Sequence, residues 1–298
     1  MIFPFSHGFL KEASMWDNII LVIIYNKTLQ ESMTLKTLSE YKFYNTKVVI
    51  QNNGPSEVSY DCELFVRLNQ CFDNQVELIN SIDNVPLSVI YNDVFLKYKG
   101  SDRFILLDDD TEISESFVKA VKNSKVDLEV PKIISSGDRC VYYPICENEI
   151  VTTDRDLDPK SALSIGSGLI INNTLIEKFK RHDLKLFDEH YALYGVDFSL
   201  FRRIYKICTK GESVKIRSSS FLVHSLSRLD ESSRKNNLRN IERALDVAIT
   251  ARRYPTFHLH YLLIRKFVAE SMKMNWSNAY NIVKAYLLGC HPRCLKKY

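Results

Sequence analysis

The sequence predicts an α/β protein with a mostly parallel sheet and a helical C-terminal segment. Two observations support this prediction. Short β-branched and apolar runs alternate with helix-like segments through the first 110 residues, whereas only helical periodicity marks the last part of the chain. Strands that alternate with helices form right-handed βαβ units with parallel strands. We therefore expect one domain over residues 1–231 and a helical extension over residues 232–298.

The composition is that of an ordinary globular protein. The chain has 298 residues, of which 45% are hydrophobic and 26% charged, and its formal net charge is +4. This mixture excludes a disordered or fibrous chain, and the small positive charge argues against a dedicated nucleic-acid-binding protein. The longest apolar run, residues 19–25, is far below the roughly 20 residues that span a bilayer. Because the seven cysteines lack paired spacing and the N-terminus has no secretory pattern, we expect a cytoplasmic protein.

Four short apolar runs predict the parallel strands. They cover residues 18–25, 47–51, 76–79 and 103–107. The first run, NIILVIIY, has no polar alternation, which is typical of a strand buried on both faces of a sheet. Helices are expected between these strands, at residues 29–41 and 86–99.

The second half of the chain contains fewer regular patterns. A glycine-containing loop enters a predicted strand within residues 164–172, and residues 214–224 are expected to be extended. Aromatic residues at near-helical spacing predict a helix over residues 191–207. The extension is expected to hold a basic amphipathic helix and two further helices, at residues 232–254, 259–272 and 276–288. Gly289 is a plausible C-cap for the last of them.

Polar residues follow three of the predicted parallel strands, where ligands of such sheets bind. They are Tyr25-Asn26, Asn52-Asn53 and Asp108-Asp109-Asp110. Three clustered carboxylates repel one another unless a cation lies between them, and hard oxygen ligands select Mg²⁺ or Mn²⁺. The alternative is an acidic turn that caps a helix over residues 111–121, because carboxylates are favourable at helix N-termini.

Motifs of several common enzyme classes are absent from the sequence. It contains no GxGxxG, no P-loop, no HExxH, no CxxC and no GxSxG. A phosphatase of the haloacid dehalogenase type requires the pattern DxDxT, which places a threonine at position 112. Position 112 is Glu112, and the threonine is Thr111, one residue early.

Motifs along the first 225 residues occur in an order that points to one family. They are Tyr25-Asn26, Asn52-Asn53-Gly54, the segment from Asn84 to Asn92, Asp108-Asp109-Asp110, Gly166-Ser167-Gly168, Phe187-Asp188-Glu189 with Asp197, and His224. The ordered set resembles the inverting family 2 glycosyltransferases of bacterial surface polysaccharide assembly, in particular the rhamnosyl- and galactofuranosyl-type enzymes. Two positions depart from the pattern, since Asn52 stands where Asp is usual and Pro86 replaces a glycine.

The resemblance implies a GT-A fold, a Rossmann-like and mostly parallel sheet with helices on both faces. It implies transfer of a sugar from a nucleoside-diphosphate sugar, of the UDP or dTDP type, to a hydroxyl of a glycan or lipid-linked glycan in polysaccharide, O-antigen or capsule assembly. It also implies a Mn²⁺ or Mg²⁺ cofactor held by Asp108, Asp110 and His224, with Asp110 as the direct ligand.

The resemblance further assigns residues to the two substrates. Those at the nucleotide sugar are Tyr25, Asn26, Asn52, Asn84, Asn92, Asp108 and Asp109, and those at the acceptor are Gly166, Ser167 and Gly168. An inverting transfer is one displacement and needs one general base for the acceptor hydroxyl. Asp197 is the candidate for this base, and Glu189 is the reserve.

Two functional alternatives remain open at this point. The same acidic cluster could serve a magnesium-dependent phosphoryl- or nucleotidyl-transfer enzyme, or the chain could be a non-catalytic module that only binds nucleotide sugars. The helical extension also has two interpretations, which are compatible. It either packs against the catalytic domain or a second subunit, or makes peripheral contact with the inner face of the cell membrane.

Overall fold

The computed structural model describes residues 16–226 and 237–296. Within these ranges the strands, numbered in chain order, are β1 (Asn18–Ile24), β2 (Thr46–Asn52), β3 (Val76–Asn80), β4 (Arg103–Asp108), β5 (Thr111–Glu112), β6 (Leu128–Glu129), β7 (Lys132–Ser135), β8 (Val141–Tyr143), β9 (Ile145–Cys146), β10 (Glu149–Ile150), β11 (Arg155–Leu157), β12 (Leu169–Asn172), β13 (Ile216–Ser218) and β14 (Phe221–His224). A central eight-stranded sheet has the order β11-β13-β6-β12-β4-β1-β2-β3.

One half of this sheet is parallel, as the alternating pattern predicts. Strand β1 pairs in parallel with both β2 and β4, and β2 pairs in parallel with β3. Side chains alternate across a strand, so Ile19 and Leu21 lie in one hydrophobic core while Ile20 and Val22 lie in the other. All four are essentially inaccessible to solvent. The prediction of a strand buried on both faces is confirmed.

The other half of the sheet is mixed. Strand β12 runs antiparallel to β4 and to β6, which the alternating pattern does not predict. The chain enters β12 through Gly168, whose φ of 89° is in the left-handed region that favours glycine. The Gly168 amide donates to the Leu106 carbonyl oxygen over 2.7 Å, and this bond extends the antiparallel pairing.

A second, four-stranded sheet has the order β5-β14-β7-β8. Strand β14 pairs antiparallel with β5, so that His224 lies opposite Thr111. Strand β5 begins three residues after the end of β4. This pairing therefore brings the end of β14 to the carboxyl edge of the central sheet.

The described helices are α1 (Met33–Leu38), α2 (Glu63–Cys71), α3 (Leu87–Lys97), α4 (Glu115–Asn123), α5 (Asn173–Arg181), α6 (Val196–Thr209), α7 (Asn237–Arg253), α8 (Phe257–Met272) and α9 (Trp276–Leu288). Helix α4 begins at Glu115, because Ser114 caps it by accepting the Phe117 amide. The expectation that the helix starts at residue 111 is wrong, since Thr111 is part of strand β5.

Helix α6 begins five residues later than predicted. Its N-cap is Gly195, with a φ of 80°. The preceding residues form a turn that α3 holds in place, because the Leu87 amide donates to the Ala192 carbonyl oxygen over 2.8 Å. These contacts keep residues 191–195 out of the helix.

The C-terminal helices share a core with the sheet. Four buried residues of α7, namely Ala244, Leu245, Ala248 and Ile249, belong to the same hydrophobic cluster as Tyr191 and Leu200. Gly289 ends α9 with a φ of 64°, which confirms the predicted C-cap. The expected boundary at residues 231 and 232 lies outside the described residues, as do residues 232–236 of the expected basic helix. In residues 16–226 and 237–296, every helix is too short or too polar to span a bilayer.

Candidate active site

Asp108, Asp110 and His224 form a cluster at the carboxyl edge of the sheet. Asp108 ends β4 and His224 ends β14. Three donor atoms, one from each side chain, all lie within 4.8 Å of one another. The imidazole Nδ1 of His224 is 3.1 Å from Asp110 Oδ1, and its Nε2 is 3.9 Å from Asp108 Oδ2. The structure thus brings together the three residues that the sequence proposes as metal ligands.

The donor chemistry of this cluster fits a hard divalent cation. Burial raises the pKa of Asp108, and the neighbouring Asp110 and Asp197 carboxylates raise it further. Burial also raises the pKa of Asp110 and lowers that of His224. The site therefore concentrates negative charge against a neutral imidazole, and a cation would relieve that repulsion. The surrounding protein limits the hydration of both carboxyl groups, yet 43% of the Asp108 and 32% of the Asp110 side-chain surface is accessible, so a ligand can reach both.

Hydroxyl groups beneath the cluster fix its geometry. Thr111 Oγ1 lies 3.0 Å from His224 Nδ1 and 2.8 Å from Ser167 Oγ. Ser167 Oγ also accepts the Asp108 amide over 3.1 Å. The Thr34 hydroxyl donates to the Asp108 carbonyl oxygen and accepts a hydrogen bond from the Thr111 amide over 2.9 Å. Such outer contacts orient metal ligands.

Asp109 lies outside this trio and pairs with Lys27. The Lys27 Nζ is 2.5 Å from Asp109 Oδ1. The Tyr25 amide donates to Asp109 Oδ2 over 3.4 Å, and the Tyr25 side chain is about half exposed beside it. Lys27, Asp109 and Asp110 also line one cavity of about 250 Å³. The positively charged Lys27 side chain therefore lies beside the acidic cluster.

Asn26 and Asn52 hold the neighbouring loop. Asn26 has a φ of 53°, and its amide donates to the Gly54 carbonyl oxygen over 2.8 Å. Asn52 is fully buried, and its side-chain amide donates to the Ser56 carbonyl oxygen and to Asn80 Oδ1, each over 2.7 Å. Asn52 Oδ1 accepts the Gly54 amide over 3.1 Å. The structure therefore places Asn52 within the framework of the loop that follows β2.

Asp197 lies in the first turn of α6 and faces the acidic cluster. A methyl group on Gly166 would come within 2.4 Å of Asp197 Oδ1, so the carboxylate lies directly against the Gly166 backbone. Asp197 is also close enough to Asp108 to raise the pKa of that carboxyl group. Gly168 lies deeper, where a methyl group would meet Leu222 at 2.4 Å. The structure thus places Asp197, the candidate base, beside the acidic cluster.

Glu189 contacts Asn92, a residue in the middle of α3. The Asn92 side-chain amide donates to Glu189 Oε1 over 3.1 Å and to the Phe187 carbonyl oxygen over 3.0 Å. Glu189 also pairs with Lys185 over 2.6 Å. Asn84 has a different partner, because its Oδ1 accepts an Arg293 guanidinium hydrogen over 2.7 Å. These three predicted residues are therefore occupied with protein partners.

The buried Asp188 carboxylate joins α6 to α7. Its oxygens lie 3.2 Å from Arg203, 2.9 Å from the Arg253 Nε and 2.6 Å from His190 Nδ1. The Tyr254 hydroxyl donates to it over 3.0 Å. Hydrogen bonds and the two guanidinium groups hold the pKa of Asp188 well below its usual range.

A second contact joins α7 to the first turn of α6. A methyl group on Gly195 would come within 2.0 Å of the Asp246 carboxylate of α7, so this carboxylate lies at the N-cap of α6. Helix α7 thus supports the helix that carries Asp197.

Several residues at the site escape sequence analysis. Lys27, Thr34 and Thr111 contact the acidic cluster but belong to no motif, and their partners lie as far as 113 positions away in the chain. In the sequence Asp188 stands out only as part of the Phe187-Asp188-Glu189 motif, although in the fold its carboxylate pairs with His190, Arg203 and Arg253. Only the fold reveals these contacts.

Comparisons with known proteins find similarity in structure alone. No protein-family model and no curated protein matches the sequence. S. aureus TarS 1–349 in complex with UDP-GlcNAc matches with a TM-score of 0.55 and 13% identity, over 93% of this chain and 82% of that chain. The UDP complex of the same fragment gives 0.52 and 13%, over 93% of both chains.

A longer TarS structure gives a TM-score of 0.52 at 12% identity over 91% of this chain. The match spans only 55% of that TarS chain, little more than half its length. TarS is a family 2 glycosyltransferase with the GT-A fold. The central sheet, its flanking helices and this likeness together establish that the chain has the GT-A glycosyltransferase fold.

Proposed function

We propose that this protein is a metal-dependent inverting glycosyltransferase that takes its sugar from a nucleoside-diphosphate donor. The observation that carries the proposal is the convergence of Asp108, Asp110 and His224 within 4.8 Å, at the ligand-binding edge of a GT-A sheet. Two carboxylates and a neutral imidazole suit Mn²⁺ or Mg²⁺. When bound, the ion would neutralise the negative charge that builds on the leaving diphosphate.

The donor is expected to be a UDP sugar. TarS, which shares the fold, was solved with UDP-GlcNAc and with UDP. In this chain Lys27 stands beside Asp109 and Asp110 in the same cavity, where its positive charge can attract a diphosphate. The exposed Tyr25 ring offers a surface on which a base can stack.

Asp197 is the general base in this proposal. The acceptor oxygen attacks the anomeric carbon of the sugar, and the bond from that carbon to the diphosphate oxygen breaks with its electron pair on the oxygen. The acceptor proton passes to the Asp197 carboxylate. Asp197 suits this role because it lies against Gly166, on the loop assigned to the acceptor, and beside Asp108. Glu189 suits it less, because Lys185 and Asn92 engage its carboxylate.

The acceptor is proposed to be a hydroxyl of a glycan or lipid-linked glycan in bacterial polysaccharide assembly. This assignment comes from the ordered sequence motifs and their resemblance to family 2 glycosyltransferases. We further propose that the enzyme acts at the inner face of the cell membrane.

The test is an analysis of products released from UDP-, dTDP- and GDP-sugars by the wild type and Asp197→Asn, each with Mn²⁺, Mg²⁺ or EDTA. We expect nucleoside diphosphate to be released only with metal and, in the presence of the true acceptor, at least about 100-fold more slowly by the variant. Release of pyrophosphate or inorganic phosphate would instead indicate nucleotidyl or phosphoryl transfer. Nucleotide-sugar binding without turnover on any acceptor would indicate a non-catalytic module.

A further inference from the structure

Helix α8 exposes an apolar stripe to solvent. Phe257, Tyr261, Ile264, Val268 and Met272 recur at intervals of three or four residues, so they share one face of the helix. Phe257 is 99% exposed and Met272 80%. No residue of α8 is buried. An apolar face of this length on a surface helix marks an interaction site.

Helix α9 continues this surface. Trp276, Tyr280, Val283 and Leu287 repeat at the same intervals, and Trp276 is 65% and Leu287 70% exposed. The opposite side of α9 is buried, at positions that include Ala279, Ile282 and Ala285. Only residues 273–275 separate α8 from α9, so the two helices form a hairpin. We call the exposed apolar stripes of α8 and α9 the hairpin face.

Charges beside the hairpin face are almost all positive. Arg265 of α8 and Lys284 of α9 are exposed and lie at the edges of the two apolar stripes. Glu270 is the one acidic residue from 257 to 296. Its carboxylate pairs with Lys273 over 3.5 Å and accepts from side-chain amides of the turn and of α9 over 3.1 and 2.9 Å. Little negative charge is therefore left to offset Arg265 and Lys284.

This combination distinguishes between possible partners of the face. Two copies of the face would bring like charges together, which is unfavourable. Exposed aromatic residues beside lysine and arginine are instead typical of helices that lie in the interface of an anionic membrane. Since no helix among the described residues can span a bilayer, the hairpin would lie in the plane of the surface.

We propose that the hairpin face docks this protein onto the surface of an anionic lipid bilayer. The aromatic and apolar side chains of α8 and α9 enter the boundary between headgroups and acyl chains, and the basic residues contact lipid phosphates. The sequence-based expectation assigns membrane contact to the helical extension as a whole. The apolar side of α7 is buried in the core, so the contact falls to the two helices that follow.

The test is co-sedimentation with vesicles of phosphatidylglycerol and phosphatidylcholine in equal parts, compared with vesicles of phosphatidylcholine alone. The wild type is expected to bind the anionic vesicles at least about tenfold more tightly than the neutral ones. Two double variants probe the face, Phe257→Ser with Trp276→Ser and Arg265→Glu with Lys284→Glu. Each is expected to weaken binding by at least about tenfold.

Matched controls lie on other surfaces. Tyr44→Ser removes an aromatic side chain that is 77% exposed. Lys119→Glu reverses an α4 lysine whose side chain is 75% exposed. Both controls are expected to bind vesicles like the wild type. UDP binding, measured in parallel, is expected to be unchanged in all variants, so failure of the docking proposal is distinguishable from failure of the proposed function.

Three results would overturn the docking proposal. They are equal binding to neutral and anionic vesicles, no vesicle binding by the wild type, and equal losses in face and control variants. If the wild type instead dimerises in sedimentation-velocity runs and Phe257→Ser with Trp276→Ser abolishes the dimer, a second copy is the partner of the face.

Discussion

Replacing Asp188 by asparagine is expected to destabilise the fold strongly. The Asp188 side chain is only 1% exposed and accepts from Arg253 and Tyr254 while pairing with Arg203. Asparagine keeps the shape of the side chain but removes its charge, which leaves the buried Arg203 guanidinium without a counter-ion. Breaking a buried ion pair from one side costs about 3–5 kcal/mol. For a chain of this size the melting temperature would fall by about 5–8 °C.

The stability that Asp188→Asn loses should depend on pH. Ion pairs and hydrogen bonds lower the folded-state pKa of Asp188 below its unfolded value. A carboxyl group with a lowered folded pKa stabilises the protein above its unfolded pKa, near 4, and loses that effect as the pH falls through the folded value. The difference in unfolding free energy between wild type and Asp188→Asn should therefore have its maximum value at pH 7 and decrease below about pH 4.

Urea denaturation of both proteins from pH 3 to pH 8 measures this difference. Asp156→Asn is the matched control, because Asp156 pairs with Arg217 over 2.7 Å but is 78% exposed. The control should unfold like the wild type. A loss at pH 7 below about 1 kcal/mol for Asp188→Asn, or a loss that grows toward low pH, would refute the assignment of Asp188 as a buried charge centre.

Two further predictions concern the site. Gly166→Ala should lower turnover by at least about 100-fold with little change in unfolding free energy, because the new methyl group displaces the movable end of the Asp197 side chain. Steady-state kinetics and thermal unfolding of the variant measure both quantities, and unchanged turnover would contradict this prediction. Mn²⁺ affinity should fall as the pH decreases, because protons compete with the ion for Asp108 and Asp110. The fall should begin at a pH above the ordinary carboxyl pKa near 4, since burial raises the pKa of both groups. Titrations of Mn²⁺ from pH 5 to pH 8 measure it, and an affinity independent of pH would be inconsistent with these ligands.

The parallel half of the fold could be predicted because its information is local. A run such as residues 18–25 is apolar on both faces, and this pattern specifies a central strand wherever it occurs. The start of α6 could not be predicted, because it depends on the left-handed Gly195 and on the Leu87 amide, more than 100 positions away, which holds the preceding turn. Amphipathic spacing in the sequence continues through this turn.

The candidate site also has a part that the sequence predicts and a part that depends on the fold. Asp108 and Asp110 could be found because they follow a buried strand. The position of His224 depends on the pairing of β14 with β5, and the sequence reaches it only through the resemblance to a family. Lys27 and Asp109 are 82 positions apart, and no periodic pattern connects them. The role of α7 as a support of α6 likewise depends on contacts between distant charged residues, such as Arg253 with Asp188.

The GT-A fold brings the acidic cluster and the proposed base to one edge of the sheet, and the C-terminal helices stabilise that arrangement. Asp246 lies at the N-cap of the helix that carries Asp197, and Asp188 connects that helix to Arg253. Removal of the extension is therefore not a neutral truncation. Variants of the exposed hairpin face are the appropriate way to study the extension while the site stays intact.

The most direct test of the central claim is calorimetric titration of UDP into the wild type, Asp110→Asn and Glu115→Gln, each with Mn²⁺ or EDTA. Glu115 is the matched control, since its carboxylate in α4 is 80% exposed and does not line the cavity beside Lys27 and Asp110. We expect UDP to bind the wild type and Glu115→Gln only with Mn²⁺, and Asp110→Asn to bind at least about tenfold more weakly. Equal UDP binding by all three proteins, or equal binding with EDTA, would contradict a metal-dependent donor site at this cluster.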